Sequence, residues 1–505
     1  MVDAHESTPP APGADDVPEQ VRVRRGKRRQ LLERGVSPYP VGVPCTHSLH
    51  EVVSAYDVDV LGPDHHTGDQ VAVAGRVIFV RDTGKLCFVR LRAGDGTELQ
   101  AMLSLIDVGA ESLDDFKAFV DIGDHLFVEG EVVTSRRGEL SVQVRRWQLA
   151  AKSLRPLPNE HRPLSDEARA RLRYVDMIVR PEARRVVRTK ATVLRSLRST
   201  LDLLDFVEVE TPVLQLTNGG AAARPFRTRL NAFNQDMLLR IALELDLKKA
   251  VVGGVERVYE IGRTFRNEGL DSTHAAEFSM LEAYQAYGDY DTMAQLLQHL
   301  VTDAAQTLGL SVIPTRDGSE LDLTSRWRHA ALLDLVAEAV DDEVTLETPL
   351  SVLRAHAARR DVALQAQWEA ADVILELYEK LVEHTLIAPT FVKDYPAAVK
   401  PLAQAHRTSA GLVEALDLVV NGVELATAYS EMNDPVLQRE RLLAQSLMAA
   451  QGNPEAMELD EDFLRALEFG LPPTGGMGMG VDRLVMLLTG LGIRDTILFP
   501  LLRPE

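Results

Sequence analysis

Between residues 70 and 150 the chain runs through five short β-rich segments: "QVAVAGRVIFVRD", "KLCFVRLRAGDG", "TELQAMLSLI", "DHLFVEGEVVTSR" and "GELSVQVRRWQLA". Glycine and aspartate turns separate them. Few folds satisfy that pattern. Short strands joined by tight turns predict a small closed barrel of about five strands. Such barrels bind single-stranded nucleic acid by stacking bases on exposed rings. Phe88 and Glu139 fall where one face can present a ring and an acceptor, but spacing alone favours core packing for Phe88.

The barrel uses a fraction of 505 residues, so at least one further domain follows. A formal charge of -20 argues against a non-specific nucleic-acid coat, which needs clustered lysine and arginine. A local basic face remains compatible with it. "EQVRVRRGKRRQLLERG" places Arg22, Arg24, Arg25, Lys27, Arg28, Arg29 and Arg34 on one expected helix. That helix reads equally as a solvated face or as a phosphate-contacting one. Residues 1–18 are proline-, alanine- and acid-rich and are expected to be disordered. Cys45 and Cys87 fit neither a disulfide framework nor a zinc site, which points to a reducing compartment. With no transmembrane-length apolar run and no signal-peptide core, the expectation is a cytoplasmic protein without a membrane partner.

A proline- and charge-rich connector, "KSLRPLPNEHRPLSDEAR", follows the barrel. The expected organisation is a tail at 1–18, a basic helix and barrel at 19–155, a linker at 156–175 and a large domain at 176–505. In that domain "VVRTKATVLRSLRSTLDLL" has helical periodicity and "FVEVETPVLQ" alternates as a strand ending at Pro212. Residues 285–385 read as mostly helical, and strand character returns at "LDLVVNGVELATAYSE". The order is not a regular βαβ alternation, so the fold class is α+β, with an antiparallel sheet flanked by helices.

Three stretches carry candidate chemistry. In "AAEFSMLEAYQAY", period-2 alternation puts Phe278, Met280, Glu282 and Tyr284 on one strand face. A carboxylate there either meets a cation or donor, or faces solvent. Arg266, near the end of the preceding strand, suits a phosphate or carboxylate oxygen, with a surface salt bridge as the alternative. "GLPPTGGMGMGVDRLVMLLTG" feeds an almost side-chain-free strand into a helix bearing Asp482 and Arg483, so backbone can approach a flat ligand closely. Asp417, Glu424 and Glu431 form an acidic group without evident cationic neighbours, which implies a metal or a cationic substrate; oxygen-only ligands favour magnesium over zinc.

Together these segments resemble the class II aminoacyl-tRNA synthetases, most closely the bacterial lysyl-tRNA synthetases. "VEVETPVLQ" is similar to the dimer-forming first motif, "TFRNEG…HAAEF" to the second and "GMGMGVDR" to the third. "GGAAARPF", "NDPVLQRERL" and "DEDFLRALEFGLPPTGG" are family phrases too. The resemblance implies lysine–tRNA ligation through lysyl-adenylate, with ATP, L-lysine and tRNA(Lys) as substrates, magnesium as cofactor and a homodimer as the assembly. It implies Arg266 and Arg483 as the catalytic phosphate-binding arginines. Glu268, His274, Phe278, Gly478 and Gly480 would lie around the nucleotide, and Asp417 and Glu424 on magnesium. Gly220, Glu244, Glu282, Tyr284, Thr427, Tyr429 and Glu431 would line the lysine site. The barrel resembles the family's anticodon-binding OB-fold, with Phe88 stacking on a base, Glu139 reading the anticodon and Arg81 beside them. A paralogue that binds nucleotide or tRNA without aminoacylating is the alternative.

The chain departs from the family at several points. Where relatives read R-I-A-P-E-L-Y-L-K it has "RIALELDLKK", with Leu243 for proline and Asp246 for an aromatic. Arg229 and Leu230 replace frequent histidines, Gly262 a frequent asparagine, Ala275 a polar residue, and Thr427 an asparagine on the substrate carboxylate. Asp246 is expected outside the site, with local loosening where the ring is lost.

Overall fold

The computed structural model describes residues 18–158, 163–269, 271, 273–315, 318–450 and 456–503. The tail expected to be disordered lies outside the described residues, apart from Pro18. The chain divides into two compact units, Met1–Arg184 and Arg185–Glu505.

In the first unit, β1 (His66–Asp82), β2 (Leu86–Arg92), β3 (Glu98–Ser104), β4 (His125–Thr134) and β5 (Leu140–Ala151) close into a barrel in the order β1-β2-β3-β5-β4. Alternation fixes which side chains go inside: Cys87, Val89 and Leu91 are buried, whereas Arg90 is exposed. Phe88 therefore sits on the outer face, not in the core. A helix between β3 and β4, Ala110–Phe119, adds Leu113, Phe116 and Phe119 to the barrel core, with Phe116 edge-on to Trp147 at 5.4 Å. The basic helix is Glu19–Glu33. Its cations divide. Arg24 is buried and donates to the carbonyls of Ile122, Ser153 and Arg155, Lys27 pairs with Asp121 at 2.7 Å, and Arg28 lies over the Tyr39 ring. Arg22, Arg25 and Arg29 are exposed.

The second unit is built on an eight-stranded sheet. Its strands are β6 (Val207–Glu208), β7 (Arg257–Phe265), β8 (Glu277–Ala286), β9 (Arg328–Ala331), β10 (Thr390–Pro396), β11 (Leu412–Val420), β12 (Val423–Ser430) and β13 (Thr474–Gly480). They lie in the order β9-β10-β11-β12-β13-β8-β7-β6, antiparallel except for the outermost pair at each edge. β11 and β12 join through Asn421 and Gly422, both at positive φ, as a tight two-residue hairpin requires. Helices Pro181–Leu203, Tyr290–Thr307 and Val481–Thr489 cover one face of the sheet.

Two expectations change. "FVEVETPVLQ" is not one strand: only Val207–Glu208 and Leu214–Gln215 pair. Between them the backbone N–H of Thr211 donates to the Glu260 carboxylate instead of a ladder. The region 285–385 also contains three short strands, Val312–Pro314, Glu320–Asp322 and Arg328–Ala331.

The sheet's pleat positions the site. Leu281 and Ala283 of β8, Met477 and Met479 of β13, Ala426 and Ala428 of β12, and Leu416 and Leu418 of β11 enter the helix-covered core. Their neighbours must point the other way. Register then aligns two rows across that open face: Asp417, Thr427, Gly478 and Glu282 in one, Tyr429, Gly476 and Tyr284 in the next.

Candidate active site

Glu282 is 4 % exposed, which excludes the solvent-facing alternative. One carboxylate oxygen accepts from the Leu243 backbone N–H at 2.9 Å and the other from the Tyr284 hydroxyl at 3.0 Å. The Leu243 bond gives the family departure a physical meaning, since proline has no N–H to donate. Burial pushes the Glu282 carboxyl up to about 7, with the Glu244 charge adding to the shift and these two donors opposing it.

Glu244 opens the helix Glu244–Val252 and is also buried. Lys248 follows one turn later with no exposed surface. Its Nζ lies 2.5 Å from Glu244 Oε1 and 2.5 Å from Glu431 Oε2. Burial raises the Glu431 carboxyl, against the pull of Lys248 and with the repulsion of Glu244 and Glu282. Three carboxylates from separate parts of the chain thus lie near enough to feel one another's charge, and one ammonium bridges two of them, Glu244 and Glu431. Sequence reasoning missed that ammonium, because nothing in "LKK" marks which of two adjacent lysines turns inward.

Gly476 makes the arrangement possible. A Cβ there would lie 2.0 Å from Glu431 Oε1 and 2.5 Å from Tyr284 Cε1. Gly220 adopts φ +84°, and a Cβ on it would meet Glu244 Cβ at 3.3 Å. Gly478 is different: the nearest atoms to its notional Cβ are 3.6 Å or more away, so protein crowding does not demand glycine there. Thr427 donates to the Leu416 carbonyl at 3.3 Å, and the Tyr429 ring lies 5.6 Å from Lys400 Nζ.

Beyond Glu282, Arg266 follows β7 and stacks over the Phe278 ring at 5.3 Å. Burial pulls its pKa down, while the charges of Glu268, Glu424 and Glu282 hold the cation. Arg483 donates to the Glu424 carbonyl at 2.7 Å and lies 3.2 Å from His274 Nε2. Because guanidinium only donates, Nε2 accepts, and the proton sits on Nδ1, 2.8 Å from Asp271 Oδ2. Asp271, His274 and Arg483 form a relay that sequence reasoning did not join. Glu268 accepts from the Arg224 N–H at 3.3 Å and is exposed, and the atoms nearest a Cβ at Gly480 belong to the Arg483 side chain, at 3.5 Å. Asp482 is buried and holds the third-motif helix, accepting from Lys190 and the Ser279 N–H.

Asp417 and Glu424 correct an expectation. They are not free of cations: Lys400 Nζ is 3.1 Å from both Asp417 oxygens, and Arg483 is 3.6 Å from Glu424 Oε1. Among the described residues no trio of histidine, cysteine or acidic side chains is gathered as a metal cluster. The surroundings nonetheless remain acid-rich. Burial and the charges of Glu424, Glu379 and Asp417 push Glu383 up to about 7. An all-oxygen donor set under mutual repulsion suits a hard divalent cation.

Residues 165–503 match the family model described as tRNA synthetases class II (D, K and N). The chain belongs to the class II aminoacyl-tRNA synthetases. Residues 71–150 match the OB-fold nucleic acid binding domain. A lysine–tRNA ligase of Mycolicibacterium gilvum is 52% identical over 97% of this synthetase and 98% of that protein. One from Kineococcus radiotolerans is 52% identical over the same shares. The lysylphosphatidylglycerol biosynthesis bifunctional protein LysX of Mycobacterium ulcerans is 47% identical over 97% of this chain but only 44% of its own length.

Several departures of this synthetase from its family now have structural readings. A Cβ at Gly262 would fall 2.3 Å from Arg240 Nη2 and 2.7 Å from Glu260 Oε1, inside a buried ion pair at 2.8 Å. An asparagine requires that pair to move. Asp246 pairs with Lys249 at 2.8 Å, away from the three carboxylates. Arg229 ties a surface hairpin through Asn234 and Asp236. Ala275 lines a cavity of about 280 Å³ together with Arg263, Asp271 and His274. On the barrel, Arg81 stacks over Phe88 at 4.5 Å and Arg90 pairs with the exposed Glu139 at 3.1 Å.

Proposed function

We propose that this synthetase activates L-lysine with ATP and transfers it to the 3′ end of tRNA(Lys). The observation that carries this reading is the convergence of Glu244, Glu282 and Glu431 at the open face of the sheet, with Glu282 directly opposite Gly478 and near Arg266. Buried carboxylates with too few cations call for a cationic ligand, and lysine brings two ammonium groups. The relatives named as lysine–tRNA ligases, matched almost end to end, agree with that choice.

In this reading Glu431 and Tyr284 receive the ε-ammonium, Glu244 and the Gly220 carbonyl the α-ammonium, with Glu282 between them and Thr427 and Tyr429 on the β12 side. A neutral side chain would leave the carboxylates unpaired, which rejects it strongly without editing. Phe278 stacks on adenine above the strand containing Gly478 and Gly480, and Arg266 and Arg483 hold phosphate oxygens, with Glu268 and His274 around them. The lysine carboxylate oxygen attacks the α-phosphorus as the bond to the β-phosphate oxygen breaks, and diphosphate leaves. A terminal ribose hydroxyl then attacks the adenylate carbonyl and AMP departs. Positioning and charge neutralisation supply most of the rate, so no side chain need act as general base. Glu424, and Asp417 once Lys400 gives up one of its oxygens, would hold magnesium, which would supply neutralisation of phosphate charge.

A pH dependence follows. Burial raises the carboxyls of Glu282 and Glu431, so the protons they take up as pH falls must leave before ammonium groups can pair with them. The lysine KM therefore rises as pH falls below about 7, approaching tenfold per unit for each proton displaced. The KM for ATP stays nearly flat over the same range. Steady-state pyrophosphate exchange from pH 6 to 9 measures both.

The barrel reads the anticodon through Phe88, Glu139 and Arg81. Replacing Phe88 with alanine removes a stacking ring worth about 1–3 kcal/mol, so tRNA charging falls roughly five- to hundredfold. Pyrophosphate exchange without tRNA stays unchanged; a parallel loss of exchange would contradict this division of labour. The first motif leaves Leu203, Val207 and Leu216 more than half exposed, which supports a homodimer. Among the described residues no helix is long and apolar enough to cross a membrane. Two free cysteines, Cys45 and Cys87, support placement in the cytoplasm.

A further inference from the structure

Lys248 is the one feature of the lysine site that the proposed reaction does not explain. It is fully buried, and its ammonium bridges Glu244 and Glu431, which the reading above reserves for the two ends of the substrate. Around the two bridged acids stand Glu282 and Tyr284 on β8 and Tyr429 on β12, with Arg266 after β7 acting on Glu282, and the Phe463 ring lies 6.0 Å from the Lys248 ammonium. Among the described residues Lys248 is the one ammonium in contact with these acids, and Arg266 acts on Glu282 only through longer-range charge, so three carboxylates remain short of direct cationic partners. Free lysine carries two ammonium groups.

We infer that Lys248 is a specificity-determining residue: its resident ammonium neutralises one of the three carboxylates, so that the site is completed by a substrate with two ammonium groups. This rests on the lysine reading and adds to it. Without a resident cation, one carboxyl stays protonated even in the lysine complex, because lysine brings only two direct partners for three acids and Arg266 reaches Glu282 by longer-range charge alone. With it, all three are ionised once lysine binds. Position matters as well as charge. Lys248 is fixed one helical turn from Glu244 and contacts a single oxygen of each acid, leaving the other oxygen of both outside the bridge.

The test compares the full-length protein with Lys248→Met, which keeps most of the volume and removes the charge. Lysine binding is followed by calorimetry from pH 5.5 to 9 in buffers of different ionisation enthalpy, and protonated carboxyls are followed by infrared difference spectroscopy. The wild type should release protons on binding lysine, tending to about two at low pH, and should show no protonated carboxyl band in the complex at pH 8. In Lys248→Met the curve should move to higher pH by about one unit, weakening lysine roughly tenfold at pH 7, with recovery toward pH 9. A protonated carboxyl band should persist in its lysine complex, and ATP affinity should change less than about twofold. Equal weakening at every pH, or an unmoved curve, would show that Lys248 only packs and would overturn the proposal. Should Lys248→Met not fold, a protonated carboxyl in the wild-type complex at pH 8 overturns it, and its absence with about two protons released supports it. Failure of the wild type to bind lysine at all would instead remove the functional reading beneath.

Discussion

Glu431→Gln raises the lysine KM by roughly a hundredfold or more while leaving the KM for ATP within about threefold of wild type. The substitution is nearly isosteric, so packing against Gly476 is retained and the charge alone is lost. Two cations feel that loss. In the proposed reading the substrate ε-ammonium loses its carboxylate, and Lys248 keeps only Glu244. Removing one partner of a buried ion pair costs about 3–5 kcal/mol, which is where the hundredfold comes from. The measurement is pyrophosphate exchange with lysine and ATP varied separately. Equal losses for both ligands would mean that Glu431 acts on the sheet and not on lysine.

Arg266→Ala has the opposite signature. Its guanidinium lies over Phe278 with acids around it, and in the proposed reaction it serves the phosphate and carboxylate that react. Removing a group that stabilises charge in the transition state lowers the rate of adenylate formation by about a hundred- to thousandfold. The change falls on kcat more than on the lysine KM, because the ammonium contacts survive. Single-turnover formation of lysyl-adenylate under saturating substrates reads it directly. A variant slowed only through a higher lysine KM would place Arg266 in recognition and not in chemistry.

How far the sequence carried this account depended on the physical range of each signal. Period-2 alternation in "EFSMLEAY" was enough to place Glu282 and Tyr284 on one face, since a strand between a covered and an open face has no freedom to do otherwise. The barrel was legible for the same reason, although Phe88 was first read as core; only closure of the barrel shows which parity of β2 points outward. Contacts between distant segments were not legible. Lys400 is seventeen residues from Asp417 in sequence yet binds both its oxygens, so an acidic group that looked free of cations is partly neutralised. Lys248 and Lys249 are neighbours, but one is fully buried between two glutamates and the other reaches Asp246 and Asp462. Helical periodicity alone does not tell which of two adjacent lysines turns inward. The motif departures were visible as letters, but their meaning required coordinates. Leu243 supplies an N–H to Glu282, and Gly262 makes room for the Arg240–Glu260 pair.

The most direct measurement is amino-acid-dependent ATP–pyrophosphate exchange across the twenty standard amino acids with the unmodified protein. Three buried acids, two of them bridged by one fixed ammonium, predict that lysine alone supports rapid exchange. Arginine and the neutral amino acids should fall to background. Rapid exchange with a different amino acid, or nucleotide binding with no exchange for any of them, would contradict the account.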